Sequence, residues 1–393
     1  MLGSQIIRPR RRMRFPSIET RMGTFLPGHH WQAHELCFFI HDAMTKMLAS
    51  GEHANAFHVE IPLREDEIET FNSADDVFDW LEQHRPPGER AAVLVTTMFP
   101  AILSDMLHCI YEALESSRKA KLNISYMLLR KPIQESLYVL EAVIADRSDF
   151  AEKLTESPIK LWSQKAGGPE SHKKNIAKVL EAIGDDGRFS PDYLTQLRYD
   201  KSAEDGFDGI CNKAIHLFTS HEAIATERMN INFIFSNWDS KESQWSFLYT
   251  RLPYILTYAY RIVETVCAGI SPTSSAYIEE MERRLAAHIL LWGATLEGQY
   301  ATGSLLMFVF KHREWLFDHC TANGYGIPEF KDLVRMRDTG AFPGESRWRV
   351  WLRLRQFQAD AEATGSAAPT WQTRLLRAIG ILKSLMAESE SSA

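Results

Sequence analysis

Cysteine is scarce in this chain of 393 residues, and no two cysteines stand at the short spacing of a metal-binding or redox motif. There are five of them, an odd number, and they are scattered along the sequence: Cys37, Cys109, Cys211, Cys267 and Cys320. A disulfide framework is therefore not expected. Reduced thiols in the cytoplasm fit this distribution better, because the cytosol keeps thiols reduced.

The sequence also lacks a long apolar run. Segments such as 305–310 are far shorter than the roughly 20 residues that cross a bilayer, and the stretch 254–270 is interrupted by Arg261 and Glu264. The arginines near the amino terminus are not followed by an apolar segment, so they do not resemble a secretion signal. We expect a cytoplasmic protein that does not contact a membrane.

Several catalytic and ligand-binding motifs are missing. The sequence has no glycine-rich phosphate loop, no GxSxG nucleophile turn, no HExxH zinc helix and no GxGxxG dinucleotide turn. No cofactor is therefore expected. The formal net charge of −7 argues against a protein whose entire surface coats nucleic acid, although it leaves room for a local basic patch.

Helical periodicity dominates what is present, in a chain with the 45% hydrophobic and 24% charged content of a globular protein. It predicts a mainly α fold, a multi-helix bundle with a small mixed N-terminal region. We divide the chain into a basic flexible arm at 1–28, the mixed region at 29–90, the helical bundle at 91–323 and an arginine- and tryptophan-rich helical region at 324–393. The sequence leaves open whether Met1 or Met13 is the native start.

Two long helices are predicted on either side of a polar turn, one over 91–119 and one beginning at Asn123. Pro100 and Pro132 fall inside these patterns, where each should kink its helix or mark a start. Weak alternation over 56–63 predicts an edge strand. Further helices are predicted at 30–49, from a cap at Ser73, and over 245–268, 274–293, 304–323 and 371–387.

Four residues that can bind metals, His30, His34, Cys37 and His41, follow one another at spacings of four, three and four. These spacings place them on one face of a helix. Two of them could chelate zinc, but four ligands in a row along one helix cannot close a tetrahedron. A site there would need a ligand from elsewhere in the chain, and we expect these histidines to carry no metal.

Two arginine–histidine pairs have the loose spacing found in HEPN ribonucleases: Arg283 with His288, and Arg313 with His319. In such an enzyme the arginine would stabilise phosphate charge and the histidine would transfer a proton. With 28 arginines and 14 histidines, about three such spacings are expected by chance. The two matches are candidate catalytic pairs that carry little weight alone.

Arginines cluster with tryptophans in the C-terminal segment of the chain: Arg335, Arg337, Arg347, Arg349, Arg353 and Arg355, with Trp348 and Trp351. Arginines bind phosphates and tryptophans stack on bases, so this segment is a candidate surface for RNA or DNA. The same pattern also arises when a helix packs its tryptophans inward and turns its arginines to solvent. Both interpretations stay open.

Arg130-Lys-Pro-Ile-Gln-Glu135 follows the first long helix, and a later block runs from Asn212 and His216 to Asn230. These blocks resemble bacterial all-helical proteins related to the HEPN and AbiV-type abortive-infection proteins. The resemblance implies a helical bundle and a role in phage defence, and it supplies no catalytic residues.

The resemblance also implies that Arg130, Glu135 and His216 line one polar pocket, with Asn230 in the later block. Arg130 and Glu135 stand five residues apart, which directs them to different sides of an α-helix. We therefore expect each of them to pair with a residue of another helix rather than with its neighbour.

Three functions are compatible with these patterns. The leading hypothesis is a non-catalytic binding or scaffold protein of an anti-phage system, with a protein partner or a second copy of the chain. The first alternative is a HEPN-like, metal-independent ribonuclease. The second is a metal-dependent hydrolase that uses the N-terminal histidines. Whether the chain is an enzyme stays open.

Overall fold

The computed structural model describes residues 23–86, 88–156, 168–216, 218 and 237–363. Within these ranges the chain is helical and contains no strand, so the predicted mainly α fold is confirmed. Most of the predicted arm and the predicted helix at 371–387 lie outside the described residues.

The helices of the first half include the two long ones that the sequence predicts. They are α1 (Trp31–His53), α2 (Ile68–Asn72), α3 (Val77–His84), α4 (Glu89–Arg118), α5 (Leu122–Arg130), α6 (Leu137–Ala145), α7 (Arg147–Glu156) and α8 (Gly168–Ala182), with short 3₁₀ turns at Gly28–His30 and Glu65–Glu67. The helices α4 and α5 pack against each other as the predicted hairpin.

The second half holds the longest helix of the described chain, α11. Its helices are α9 (Pro191–Tyr199), α10 (Phe207–Ala214), α11 (Trp238–Ile270), α12 (Ser275–Gly293), α13 (Gly303–Ala322), α14 (Phe330–Thr339) and α15 (Arg347–Ala363). Ser190 caps α9 and Pro191 takes its first position, as expected of a residue that needs no hydrogen-bond donor there.

Helix α11 forms the centre of the main core. Its residues from Gln244 to Tyr260 are buried on every side, and a helix that is buried all round belongs in the interior of a large fold. It packs against α1, α4 and α6. The buried face of α1 contributes Leu36, Cys37, Ile40 and Met44, at the spacing of one helical stripe. The main core therefore contains side chains from both sides of the predicted boundary at residue 90.

A six-residue π-helical segment, Lys131–Ser136, joins α5 to α6 without a break in the helical path. Pro132 stands at its start and lacks the N–H group that an α-helix would use at that position. At the end of the segment, the N–H of Leu137 donates to the carbonyl of Pro132, five residues back. Pro132 thus inserts a wider turn into a continuing helix.

A second, smaller apolar cluster joins the predicted C-terminal region to the bundle. It consists of Ala286, Ala287, Leu316, Cys320, Met336 and Phe342 from α12, α13, α14 and the loop after α14. Gly340 ends α14 with a φ of 66°, a left-handed conformation that glycine adopts without strain. The next helix, α15, begins seven residues later at Arg347.

Two local predictions in the N-terminal region are wrong. Residues 56–63 form a turn and an irregular segment, because the described part of the chain offers no strand for them to pair with. Ser73 ends α2 instead of capping α3. The side chain of Asp76 caps α3, where it accepts a hydrogen bond from the N–H of Phe78 at 2.6 Å.

One described helix, α4, has the length and apolar composition of a membrane-spanning segment. Central helices of globular proteins have the same composition, and α4 packs against α1, α5 and α7.

Candidate functional site

Arg130 and Glu135 lie on either side of the first π-helical turn. Arg130 Nη1 donates to Glu135 Oε1 at 3.0 Å, and Arg130 Nε donates to Asn212 Oδ1 at 3.1 Å. The prediction that Arg130 and Glu135 would not pair is wrong, because the wider π turn brings residues five apart onto one face. The predicted contact between Arg130 and another helix is confirmed.

Hydrogen bonds continue from this surface pair into the core. Asp208 Oδ1 accepts from Asn212 Nδ2 at 2.7 Å and from Gln134 Nε2 at 2.8 Å. Gln134 Nε2 also donates to the carbonyl of Arg198 at 3.1 Å. The guanidinium Nε of Arg198 in turn donates to the carbonyl of Ile133, within the π-helical segment, at 2.8 Å. These bonds satisfy backbone and amide groups around the irregular turn, which is a structural role.

The structure describes part of the polar pocket implied by the resemblance, which stays a prediction. His216 is exposed beyond the end of α10. Asn230 lies outside the described residues. The structure brings Arg130 and Glu135 to Asn212.

Arg283 meets the histidine of the other candidate pair. Arg283 Nη1 lies 3.0 Å from His319 Nε2, and Arg283 Nε donates to the carbonyl of Gly340 at 3.3 Å. His319 is half-buried and stacks between the rings of Trp315 and Phe342. Burial and the charge of Arg283 lower the pKa of His319, so the imidazole is neutral and can accept from the guanidinium.

The other two members of the candidate pairs point elsewhere. His288 is buried against the ring of Phe39. Burial and the charges of Arg284 and Arg337 hold its pKa well below the usual range. Arg313 is exposed, and its guanidinium lies over the rings of Phe310 and Phe317 on its own helix. The contact therefore joins Arg283 to His319, across two helices, and neither sequence pair is formed.

Arg353 is an internal anchor of the C-terminal region. Its Nε donates to Glu280 Oε2 at 2.6 Å, its Nη1 donates to Glu345 Oε1 at 2.5 Å, and its Nη2 donates to the carbonyl of Gly340 at 3.2 Å. The side chains of Glu280 and Glu345 are only 1% and 3% exposed. Arg353 is thus committed to contacts within the fold, unlike the neighbouring arginines.

Arg335 and Arg337 of the predicted basic patch belong to α14, where Arg335 donates to the carbonyl of Glu345 and Arg337 donates to Glu35 Oε2 at 2.9 Å. The other residues of the patch lie on α15, where Trp351 and Arg353 are half-buried and the rest are exposed. Trp348 is 56% exposed, and its ring stacks on Trp351 with centroids 4.6 Å apart. The guanidinium of Arg355 lies 5.2 Å from the centre of the Trp351 ring. Arg347 and Arg349 are exposed beside this stack. We call Arg347, Trp348, Arg349, Trp351 and Arg355 the α15 surface.

The predicted histidine stripe along α1 does not converge on one point. Cys37 is fully buried in the core, and burial holds its pKa well above the usual range. His34 Nδ1 lies 2.7 Å from the hydroxyl of Tyr249, and His41 Nδ1 lies 3.0 Å from Asp42 Oδ1. The two imidazole rings therefore have different partners, in different parts of the fold.

Among the described residues of the stripe, His30 belongs to a group of three residues that could together hold a metal ion. Its partners are His29 and Glu242, which the sequence analysis did not select. The adjacent pair His29 and His30 was visible in the sequence. Glu242 lies more than 200 residues away, and no local pattern marked it.

Searches with protein-family models, among curated proteins and among solved structures found no match to this chain.

Proposed function

We propose that this chain is a non-catalytic binding protein, in which a rigid helical body presents the α15 surface to single-stranded nucleic acid. The stack of the exposed Trp348 on the half-buried Trp351, with three exposed arginines beside it, carries this proposal. The positions of two candidate catalytic residues favour this function over catalysis, because His288 is buried against Phe39 and Arg313 lies over aromatic rings of its own helix.

The tryptophan stack suits unpaired bases. Every base has an aromatic face, so stacking on an exposed indole ring is tolerant of sequence and stabilises binding by about 1–3 kcal/mol per base. Trp348 is 56% exposed, and unpaired bases stack on exposed aromatic rings of this kind. Arg355 already lies over the ring of Trp351, where it can hold a phosphate close to the stacked base.

The charge balance restricts binding to this local surface. The chain as a whole carries a net charge of −7, which repels nucleic acid. Arg353 is paired with two carboxylates, and Arg337 donates to Glu35 at 2.9 Å. Arg347, Arg349 and Arg355 are therefore the arginines of α15 that supply charge for phosphate contacts.

Fluorescence anisotropy with short labelled single-stranded RNA and DNA tests this proposal. We expect binding to both, weakened in Trp348→Ala and in Arg355→Ala. Arg313→Ala is the matched control, because Arg313 is also exposed and lies over aromatic rings but belongs to α13. An absence of binding, or equal losses in Arg355→Ala and Arg313→Ala, would contradict the proposal.

The resemblance extends the proposal to bacterial phage defence, with a cytoplasmic location. Expression of the chain in bacteria, with and without phage challenge, should then reduce phage yield, and Trp348→Ala should restore it. RNA integrity in the same cells separates binding from degradation. Intact RNA in protected cells supports a binding protein.

A scaffold also needs a surface for a protein partner or for a second copy of the chain. Leu306, Met307 and Phe310 expose apolar side chains along one face of α13. Light scattering of the purified protein should therefore give more than the monomer mass of 45.0 kDa if the chain pairs with itself. A monomeric mass would show that the chain does not pair with itself. This face of α13 would then bind another protein or no protein.

A HEPN-like ribonuclease is the second candidate, favoured by the contact between Arg283 and His319. In this function His319 would transfer a proton and Arg283 would stabilise phosphate charge. Purified protein should then degrade RNA in the presence of a metal chelator, and His319→Ala should abolish the activity. RNA that stays intact with the parent protein would remove this candidate.

A further inference from the structure

Two histidines of the 3₁₀ turn before α1 converge on one carboxylate of α11. His29 Nε2 lies 2.5 Å from Glu242 Oε1, and His30 Nε2 lies 3.1 Å from the same oxygen. The two imidazole rings are neighbours, with centroids 4.1 Å apart. Three atoms that can bind a metal, all within 4.8 Å of one another, thus face a common point.

We propose that His29, His30 and Glu242 bind a divalent transition-metal ion of the zinc class. Two imidazole nitrogens and one carboxylate oxygen are a donor set that zinc accepts, with bonds of about 2.0–2.2 Å. In a tetrahedron of such bonds the ligand atoms stand about 3.3–3.5 Å apart. The two nitrogen–oxygen separations are 2.5 and 3.1 Å, and the two nitrogens lie within 4.8 Å of each other. Side-chain rotations that lengthen both nitrogen–oxygen separations would therefore complete the site.

The three ligands differ in how firmly the fold holds them. The side chain of His30 is only 8% exposed and lies beside the ring of Tyr249. The side chains of His29 and Glu242 are 52% and 32% exposed. His30 is therefore a fixed ligand, and the other two have the freedom to adjust to an ion that arrives from solvent.

Both histidines also line a small pocket of about 20 Å³ that opens to solvent and has room for about one water molecule. Its other walls include Thr250, Glu297 and Tyr300. Three protein ligands leave a four-coordinate ion with one position for water or for an outside molecule. An ion at the edge of this pocket would offer that position to a water molecule, and it would also fasten the segment before α1 to α11.

The cluster has a simpler explanation without a metal, namely two hydrogen bonds to one carboxylate. In that arrangement both Nε2 atoms must carry a proton, whereas in the metal-bound arrangement both must present a lone pair. Titration with a metal ion distinguishes these two arrangements directly.

The test is isothermal titration of the tag-free full chain with Zn²⁺ alone. We expect one ion per chain, with affinity at least about tenfold weaker in His29→Ala and in Glu242→Gln. Both side chains are partly exposed, so these variants should keep the fold, which circular dichroism verifies. The matched control is His53→Ala/His58→Ala, which removes two exposed histidines elsewhere. Weak or multiple binding that the control variant loses equally would overturn the proposal, as would an absence of binding.

A second readout uses Co²⁺ in place of Zn²⁺. The visible absorption of Co²⁺ reports the number and geometry of its ligands, and we expect a four-coordinate spectrum in the parent protein. The spectrum should change in Glu242→Gln. A spectrum of the hydrated ion in the parent protein would count against the site.

Discussion

Arg198 and Glu141 form an ion pair in which the side chains are 0% and 1% exposed. Tyr258 donates to the same carboxylate oxygen of Glu141 at 2.6 Å. Burial by itself lowers the pKa of Arg198, but the charge and hydrogen bond of Glu141, together with Tyr199 and Tyr258, outweigh burial and raise the pKa, so the guanidinium stays charged. The pair ties α9 to α6 and, through the carbonyl of Ile133, to the π-helical segment.

Removal of one member of this pair should destabilise the protein strongly. Arg198→Ala leaves the buried Glu141 without its partner. The free energy of unfolding should therefore fall by about 3–5 kcal/mol. Urea unfolding followed by circular dichroism measures the loss. Lys153→Ala, which breaks the exposed pair with Asp149, is the control and should change the free energy of unfolding by less than about 1 kcal/mol.

The double variant Arg198→Met/Glu141→Leu sharpens this prediction. It replaces both charges with apolar side chains, so no buried charge is left unpaired, and it should recover part of the lost stability. The Tyr258 hydroxyl and the Ile133 carbonyl still lose their partners, which limits the recovery. A double variant as unstable as Arg198→Ala would show that the charges themselves are required.

Alanine substitution of two arginines of α15 should have opposite effects on stability and on nucleic-acid binding. Arg353→Ala leaves Glu280 and Glu345 buried without their shared partner, and it should lower the free energy of unfolding by about 3–5 kcal/mol. Arg349→Ala removes an exposed side chain and should change it by less than about 0.5 kcal/mol. Only Arg349→Ala should weaken binding to nucleic acid while the protein stays folded. Similar stabilities for the two variants would contradict the assignment.

Buried neutral histidines should make the protein sensitive to mild acid. Burial lowers the pKa of His34 to about 4, with a contribution from the charge of Arg118, and burial lowers the pKa of His312 to about 3. Between the unfolded value of 6.5 and these folded values, only the unfolded chain gains the proton. The contribution of these histidines to the free energy of unfolding should therefore be fully present above pH 6.5. It should fall towards pH 4, by up to about 1.4 kcal/mol per pH unit for each histidine.

Variants isolate this effect from the carboxylates, which titrate at lower pH. His34→Gln should flatten the loss of stability between pH 7 and pH 5, although it is less stable at pH 7. His53→Gln, which replaces an exposed histidine, should leave the slope unchanged. Equal slopes in the two variants would disprove the role of His34.

The thiols should react unequally. Four cysteines are buried and Cys109 is half-buried. Burial raises the pKa of Cys267 and of Cys320 to about 11, which reduces their reactive thiolate form. A thiol reagent should modify Cys109 first in the native protein and all five thiols after unfolding. Cys109→Ser should remove the fast phase.

The helices could be predicted from the sequence because the spacing of apolar residues is a local signal. The helix predicted over 30–49 is observed as Trp31–His53, and the helix predicted over 274–293 is observed as Ser275–Gly293. The residues of 56–63 cannot by themselves decide whether this segment forms a strand, since a strand needs a partner strand to pair with. Alternation over so short a segment also has too few positions to decide between strand and irregular chain.

The site residues were harder to predict, because their contacts join distant parts of the chain. Pro132 indicated an irregular helix, but only the structure shows a π turn that pairs Arg130 with Glu135. The contact between Arg283 and His319 crosses two helices, and no spacing rule within one helix contains it. Composition did locate the α15 surface, although it could not separate the anchored Arg353 from its exposed neighbours.

The salt dependence of nucleic-acid binding tests the central claim most directly. For single strands, the logarithm of the binding constant falls with the logarithm of salt concentration by about 0.7 for each phosphate contact. The parent protein should show a clear negative slope with single-stranded RNA or DNA. The variant Arg347→Ala/Arg349→Ala/Arg355→Ala should flatten that slope by about 2. A parent affinity that does not change with salt, or a slope that the triple variant leaves unchanged, would contradict the account.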